Sequence, residues 1–188
     1  ITNERSRKLS HLLRTKYNAL LSSSKSINND NSLLNCRISG LTHKSPDLII
    51  LDRNLIIKKS LKIFKDKTKR RIYLYTTKDN KSKISWLRKK KVKVLLMKRI
   101  DTKNDFFKLF KSFVKLGLSR IFVESGLTLI NFLIKNDFIN NIYIFKTNFN
   151  LNKNGSNNSS NKMLKKIKLK NKLNVFLNND SAYLERLN

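Results

Sequence analysis

Residues 120–134 restrict the possible folds of this chain more than any other stretch. An apolar run short enough for one buried strand ends at Glu124-Ser125-Gly126, and a second apolar run follows that is too long for another short strand. Lengths of this kind predict a β-strand, a tight turn and an α-helix. Taken alone the signal is weak, because an ordinary connection with a surface glutamate would look the same.

Such a turn directs the N–H groups and the positive end of a helix toward the carboxyl edge of a sheet, where phosphate can bind. Polar residues also follow three other predicted strands, at positions 22–26, at Asp52-Arg53 and at Thr76-Thr77. Because the carboxyl ends of parallel strands share one edge, these residues are expected to converge on one crevice.

Four charged residues are candidates to complete that crevice. Arg14 and Arg37 are possible phosphate-binding cations, while Asp30 and Glu124 would supply two carboxylates. Arginine suits phosphate because its planar guanidinium donates hydrogen bonds in pairs. The whole set would fit a phosphorylated substrate together with a dinucleotide.

Apolar periodicity predicts strands alternating with helices along the chain. Strands are expected at 19–27 with a polar end, and at 48–52, 72–75, 92–96, 121–123, 142–145 and 173–177, the last paired with 166–169. Helices are expected at 2–16, 84–91, 106–114 and from 127 onward, with a loop at 28–32 and a mobile loop at about 147–162. This order predicts an α/β fold with a mostly parallel central sheet flanked by helices and antiparallel C-terminal strands.

The length of 188 residues suits a single domain, 1–188, and no linker divides it. Because the first residue is Ile1 and a helical pattern follows at once, the chain is expected to be a segment of a longer polypeptide. Cys36 is the only cysteine, and His11 and His43 lie in no metal-ligand spacing, so neither a disulfide nor a metal site is expected. Without a signal peptide or a long apolar run, a cytoplasmic protein outside the membrane is expected.

The formal charge of +30 raises the alternative of a basic nucleic-acid-binding module. The lysines are spread along the chain among many Asn, Ile and Phe residues, which is the mixture that codon drift in an AT-rich genome produces. Nucleic acid is therefore not the expected partner, although a positive field would help to recruit phosphorylated ligands.

The order of these motifs resembles the reductase domain of the bifunctional riboflavin biosynthesis deaminase/reductase family. The similarity is collinear from Ile1 to about Phe145 and is weak beyond it. It rests on Ile1-Thr2-Asn3-Glu4 before an arginine-bearing helix, Ala19-Leu20-Leu21-Ser22-Ser23-Ser24, Asn29-Asp30-Asn31-Ser32-Leu33-Leu34 with Arg37, Leu51-Asp52, and Val123-Glu124-Ser125-Gly126-Leu127-Thr128-Leu129.

The resemblance implies a dihydrofolate-reductase-like fold and an oxidoreductase that uses NADPH. Its substrate would be the phosphorylated pyrimidine 5-amino-6-(5-phosphoribosylamino)uracil, reduced to 5-amino-6-(5-phosphoribitylamino)uracil. Members of the family commonly carry a zinc deaminase domain upstream and tend to form homodimers. The zinc-ligand motifs of that deaminase are absent from these 188 residues, so the chain looks like the reductase half of a multifunctional enzyme.

By position, the resemblance also assigns individual residues. Substrate contacts would come from Arg14, Arg37 and Glu124. Cofactor contacts would come from Ser26, Asp30, Leu34, Gly126, Leu127, Thr128, Leu129, Ile130, Asn131 and Phe132.

Three points stay open at this level. Arg53 either pairs with the 2′-phosphate of the cofactor or is a neutral change. Asp30, Glu124 or water could deliver the proton. A related or degenerate copy of the dihydrofolate-reductase-like fold that binds NADPH without turnover is the main alternative function.

Overall fold

The computed structural model of the chain describes residues 3–66, 68–148 and 166–187. It consists of two compact units, one formed by Ile1–Ser10 with Leu127–Asn188 and the other by His11–Gly126. The division falls directly after Gly126, so the strand-turn-helix stretch contributes to both units. The mobile loop predicted at 147–162 lies, from residue 149 onward, outside the described residues.

The larger unit, His11–Gly126, contains a five-stranded parallel sheet in the order β4-β3-β2-β1-β5. Every neighbouring pair runs parallel, so the carboxyl ends of all five strands lie along one edge. The strands are β1 Ala19–Ser23, β2 Asp47–Leu51, β3 Ile72–Thr76, β4 Val92–Leu96 and β5 Ile121–Val123.

The three central strands form the core because each is a short and nearly continuous apolar run, as a sheet covered on both faces requires. Leu20, Leu48, Ile50 and Leu74 have no exposed surface. The helices of this unit are α2 Ser24–Asp30, α3 Lys81–Lys89, α4 Lys103–Lys115 and the last residues of α1 Glu4–Arg14. α4 begins at a capping box between Thr102 and Asp105 and buries Phe106, Leu109 and Phe113.

The start of α2 corrects one prediction. The sequence predicts a strand through residue 27 and a loop over 28–32, whereas β1 ends at Ser23 and a helix follows to Asp30. Ser23 caps this helix, since its hydroxyl accepts a hydrogen bond from the Ser26 N–H at 3.2 Å. Ile27 packs into the core, and Asn31 ends the helix in the left-handed conformation, which asparagine tolerates.

The smaller unit contains α5 Leu127–Lys135 and an antiparallel pair, β6 Asn141–Thr147 with β7 Asp180–Arg186. The sequence places the last strand at 173–177 paired with 166–169, and this prediction is wrong. Two buried carboxylates in β7 make its sequence look unlike a strand. Asp180 accepts hydrogen bonds from Asn3 and Ser6, and Glu185 accepts them from residues 170–171. The predicted α/β architecture, with a parallel central sheet and antiparallel C-terminal strands, is confirmed.

Candidate active site

Three serine hydroxyls meet where β1 and β5 end, and we call Ser23, Ser26 and Ser125 the hydroxyl cluster. Their Oγ atoms are 3.0 Å apart for Ser23 and Ser26, and 3.1 Å apart for each of the other two pairs. The cap of α2 supplies the first two serines, and the turn after β5 supplies the third. The cluster therefore joins the two turns that follow neighbouring parallel strands.

Gly126 closes this cluster with its backbone. Its N–H donates a 2.9 Å hydrogen bond to Ser26 Oγ, and a Cβ at this position would lie 3.3 Å from the same oxygen. The approach is tight, so a side chain here would push Ser26 away. Because Gly126 itself is exposed, the turn leaves its backbone open to a ligand.

Glu124 lies one residue before the hydroxyl cluster and pairs with Arg14, at the end of α1. Arg14 Nε donates to Glu124 Oε2 at 2.9 Å, and Arg14 Nη2 donates to Oε1 at 2.6 Å. The side chain of Arg14 is 10% exposed and that of Glu124 is 34% exposed. This two-point pairing fixes the plane of the carboxylate while one third of the glutamate still faces solvent.

The remaining nitrogen of Arg14 is also engaged. Arg14 Nη1 donates to the Asn35 carbonyl at 2.7 Å and lies 3.2 Å from His11 Nδ1. Burial and the neighbouring Arg14 charge lower the pKa of His11, so this imidazole is neutral at physiological pH. The structure thus brings two predicted substrate residues together as partners of each other and gives the guanidinium of Arg14 three protein contacts.

Arg37 and Asp30 are exposed, unlike Arg14. Within residues 3–66, 68–148 and 166–187, no hydrogen bond or ion pair is found for either charged group. Arg37 is connected to the site through its backbone, since its N–H points at His11 Nδ1 from 3.4 Å. A cation and a carboxylate are therefore accessible to ligands on either side of the segment that carries Leu34.

Leu34 differs from the other predicted cofactor residues because its side chain is only 6% exposed and packs in the core. Its φ angle is +53°, a left-handed conformation that costs a leucine about 1–2 kcal/mol. The carbonyl oxygen of Leu34 accepts a 2.6 Å hydrogen bond from Arg70 Nη1. The side chain of Leu34 thus belongs to the core of the larger unit.

Arg53, at the end of β2, forms an ion pair with Asp101. Both side chains are well exposed, at 55% and 38%, so the pair contributes little to stability. The neighbouring Asp52 is one of the strand-end residues that were expected at the crevice. It is 1% exposed and accepts bonds from Ser24 Oγ at 2.7 Å and from the N–H groups of Ile56 and Ile57 at 2.8 Å each.

The other predicted cofactor residues, Leu127 through Phe132, form the first six positions of α5 in the smaller unit. Thr128 is the exposed member of this set. Of the helices in the described part of the chain, none has the length and apolar character to span a bilayer. The described residues also contain no group of His, Cys, Asp and Glu that could hold a metal ion.

Comparisons with known proteins identify the family of this chain. The family model of the RibD C-terminal domain matches residues 1–151. The riboflavin biosynthesis protein RibD of Aquifex aeolicus (strain VF5) is 30% identical over 145 residues, covering 77% of this chain and 39% of that protein. The chain therefore spans well under half the length of this relative.

Solved structures show the same fold. A diaminohydroxyphosphoribosylaminopyrimidine deaminase/5-amino-6-(5-phosphoribosylamino)uracil reductase from Thermotoga maritima superimposes with a TM-score of 0.73 at 18% identity, over 98% of this chain and 49% of that one. The riboflavin biosynthesis reductase Rib7 of Saccharomyces cerevisiae gives 0.71 at 21% identity, over 98% and 81%. With the family match covering most of its length, the chain belongs to the RibD C-terminal domain family.

Proposed function

We propose that this chain catalyses the NADPH-dependent reduction of 5-amino-6-(5-phosphoribosylamino)uracil to 5-amino-6-(5-phosphoribitylamino)uracil in riboflavin biosynthesis. The main support within the structure is the Glu124 carboxylate, which Arg14 orients at the carboxyl edge of a parallel sheet while leaving it one third exposed. Ligands of open α/β sheets bind at this edge. The reductase activities for which the Thermotoga and yeast proteins are named support the same reaction.

The residues around Gly126 fit a phosphate-bearing cofactor. Gly126 is exposed, and the three neighbouring hydroxyls of the hydroxyl cluster are neutral groups that can donate as well as accept hydrogen bonds. We propose that Ser26, Asp30, Leu34 and the stretch from Gly126 through Phe132 hold NADPH, with the start of α5 favouring its negative charge. NADPH, when bound, supplies a hydride.

The protein's own contribution is orientation and charge. Glu124, with both oxygens held by Arg14, is suited to accept a hydrogen bond from a substrate hydroxyl or amine. Arg37, exposed and beside His11, is suited to bind the substrate phosphate. In this proposal Arg14 acts chiefly by holding Glu124, because its guanidinium already has three protein contacts.

Two carboxyl groups are proposed for proton delivery to the substrate, Asp30 and Glu124. Asp30 is exposed at the end of α2, where it can exchange protons with water. Glu124 is the better placed acceptor of substrate hydrogen bonds, since Arg14 fixes its direction. Arg53 is also proposed as a cofactor residue, and it would have to exchange its ion pair with Asp101 for the 2′-phosphate.

The purified chain tests this function directly. NADPH is titrated by its fluorescence, and oxidation is then followed by the loss of reduced-nicotinamide absorbance after the ribosylaminouracil is added. We expect saturable NADPH binding and substrate-dependent oxidation that yields the ribitylamino product. NADPH binding without oxidation would instead support a degenerate copy of the fold, and absence of both would contradict the proposal.

We further propose an upstream deaminase domain on the same polypeptide, homodimerisation and a cytoplasmic location. The Thermotoga relative bears both activities in its name, and this chain aligns with 49% of it. Reading the residues encoded before Ile1 tests the fusion. Light scattering on the purified protein tests the dimer, and cell fractionation tests the location.

A further inference from the structure

Three consecutive backbone carbonyls in the larger unit accept hydrogen bonds from arginine side chains. Arg70 Nη2 donates to the Leu33 carbonyl and Arg70 Nη1 donates to that of Leu34 at 2.6 Å. Arg14 Nη1 donates to the next carbonyl, Asn35, at 2.7 Å. We call residues 33–35 the arginine-held segment.

The side chain of Arg70 is buried and only 2% exposed. It pairs with the Asp66 carboxylate at 3.1 Å, whose side chain is 8% exposed, and Asp66 also lies 3.4 Å from the side-chain amide nitrogen of Asn35. Arg70 Nε is buried without a hydrogen-bond partner within the described residues. Burial lowers the pKa of Arg70, and Asp66 opposes that shift. Burying a guanidinium with one unsatisfied nitrogen costs free energy of folding. The hydrogen bonds that Arg70 donates to the segment offset part of that cost and fix its backbone.

The segment needs such support because its middle residue is strained. Leu34 has a φ of +53°, and a left-handed leucine persists only where the surroundings hold it. The two arginines hold it from different parts of the fold. Arg70 forms an ion pair with Asp66, whereas Arg14 forms one with Glu124 at the end of β5.

Two exposed charged residues of the candidate site, Asp30 and Arg37, flank the arginine-held segment. Asp30 ends α2 shortly before it, and Arg37 follows two residues after it. The position of Arg37 relative to Glu124 is thus set by a chain of contacts that runs from Glu124 through Arg14 to Asn35. Arg70 fixes the other two carbonyls of the same segment.

We propose that Arg70 is a positioning residue for substrate binding: it never touches the substrate, and it holds the arginine-held segment so that Arg37 reaches the substrate phosphate. This inference rests on the proposed reductase function. Loss of Arg70 should weaken substrate binding more than it slows the chemical step, because Arg14 still holds Glu124 and most residues proposed for NADPH lie outside the segment.

The test compares Arg70→Met and Arg70→Lys with the matched control Arg71→Met. Arg71 is the next residue, but its side chain is 63% exposed and pairs with Asp47 away from the segment. We expect Arg70→Met to raise the KM for the ribosylaminouracil about tenfold with kcat within about twofold. Arg70→Lys should recover part of that loss, because one ammonium can satisfy one carbonyl where the guanidinium satisfied two. The Arg70→Lys variant keeps a positive charge at this position, so it still tests the proposal if Arg70→Met fails to fold.

Hydrogen exchange in the ligand-free protein gives a readout that does not depend on the reaction. We expect amides 34–37 to exchange about tenfold faster in Arg70→Lys than in Arg71→Met, with strands β1 to β3 unchanged. An unchanged KM and unchanged exchange in the lysine variant would overturn the proposal. If the wild type shows no turnover, the proposed function fails, and equal exchange in the two variants would then separately overturn the role of Arg70.

Discussion

Asp52 follows β2 and Glu124 follows β5, so the two carboxylates lie at the same edge of one parallel sheet. Asp52 is 1% exposed, and its partners are a neutral hydroxyl and two backbone N–H groups of its own loop. Glu124 pairs with a cation and keeps a third of its side chain exposed. The oxygens of Asp52 are occupied by neutral donors, so this carboxylate stabilises the loop that follows β2. Glu124 has a cationic partner and an exposed face, so its carboxylate is available to ligands.

The largest expected effect is on stability, from Asp52→Ala. Three donors would lose their acceptor, two of them where the bond is buried, so we expect the free energy of unfolding to fall by about 3 kcal/mol. Urea denaturation measures it. Asp101→Ala is the control, because its exposed ion pair with Arg53 is worth less than about 1 kcal/mol. Similar losses in both variants would break the comparison.

Glu124→Gln should lower activity while leaving the stability of the fold nearly unchanged. The amide oxygen still accepts one bond from Arg14, so the fold should survive, while kcat/KM should fall about 100-fold, equivalent to about 2.7 kcal/mol. Steady-state NADPH oxidation and urea denaturation on the same preparation separate the two effects. Glu4→Gln, which alters a solvent-exposed glutamate paired with Lys8, serves as control. Full activity in Glu124→Gln would remove Glu124 from the site.

Arg37→Ala should sharpen the assignment of the exposed cation. We expect about a tenfold higher KM for the phosphorylated substrate, equivalent to about 1.4 kcal/mol, with a change in unfolding free energy within about 0.5 kcal/mol. Arg99→Ala is the matched control, since Arg99 is also exposed, at 67%. An equal KM in both variants would show that Arg37 contributes no more than any surface arginine.

The smallest effect concerns pH. The pKa of His11 is lowered mainly by burial, so below about pH 6.5 the unfolded chain binds a proton that the folded chain resists. Stability should therefore decrease as the pH falls from about 6.5, and His11→Gln should lose this part of the decrease. Denaturation midpoints at about pH 7 and about pH 5.5 measure it, with His43→Gln, a change at an exposed histidine, as control. Identical pH profiles for wild type and His11→Gln would contradict it.

The local sequence pattern was enough to predict most of the fold. The strands β1 to β5 are short apolar runs, and the apolar residues of α4 recur at helical spacing. The pattern failed where polar residues have distant partners. Asp180 and Glu185 made β7 resemble a loop, since the Ser6 hydroxyl that binds Asp180 is 174 residues away. At α2, Ser23, which was expected in a strand, and Asn31, which was expected in a loop, cap the two ends of a helix.

The site shows the same limit. Arg14 and Glu124 were both expected to contact substrate, but the sequence gives no sign that they pair with each other across 110 residues. Arg70 was missed because one buried arginine cannot be distinguished from 42 lysines and arginines by composition. Only its burial, seen in the folded chain, separates it from the others.

The bonds from Asn3 and Ser6 to Asp180 also bear on the order in which this protein is completed during synthesis. Residues 11–126 are continuous and can form their sheet as soon as they leave the ribosome. Ile1–Ser10 belongs with Leu127–Asn188, so the bonds that Asn3 and Ser6 donate to Asp180 can form only after that residue has been made. The smaller unit is thus completed only after residue 180 has been synthesised, although residues 3–6 are made before the whole of the larger unit.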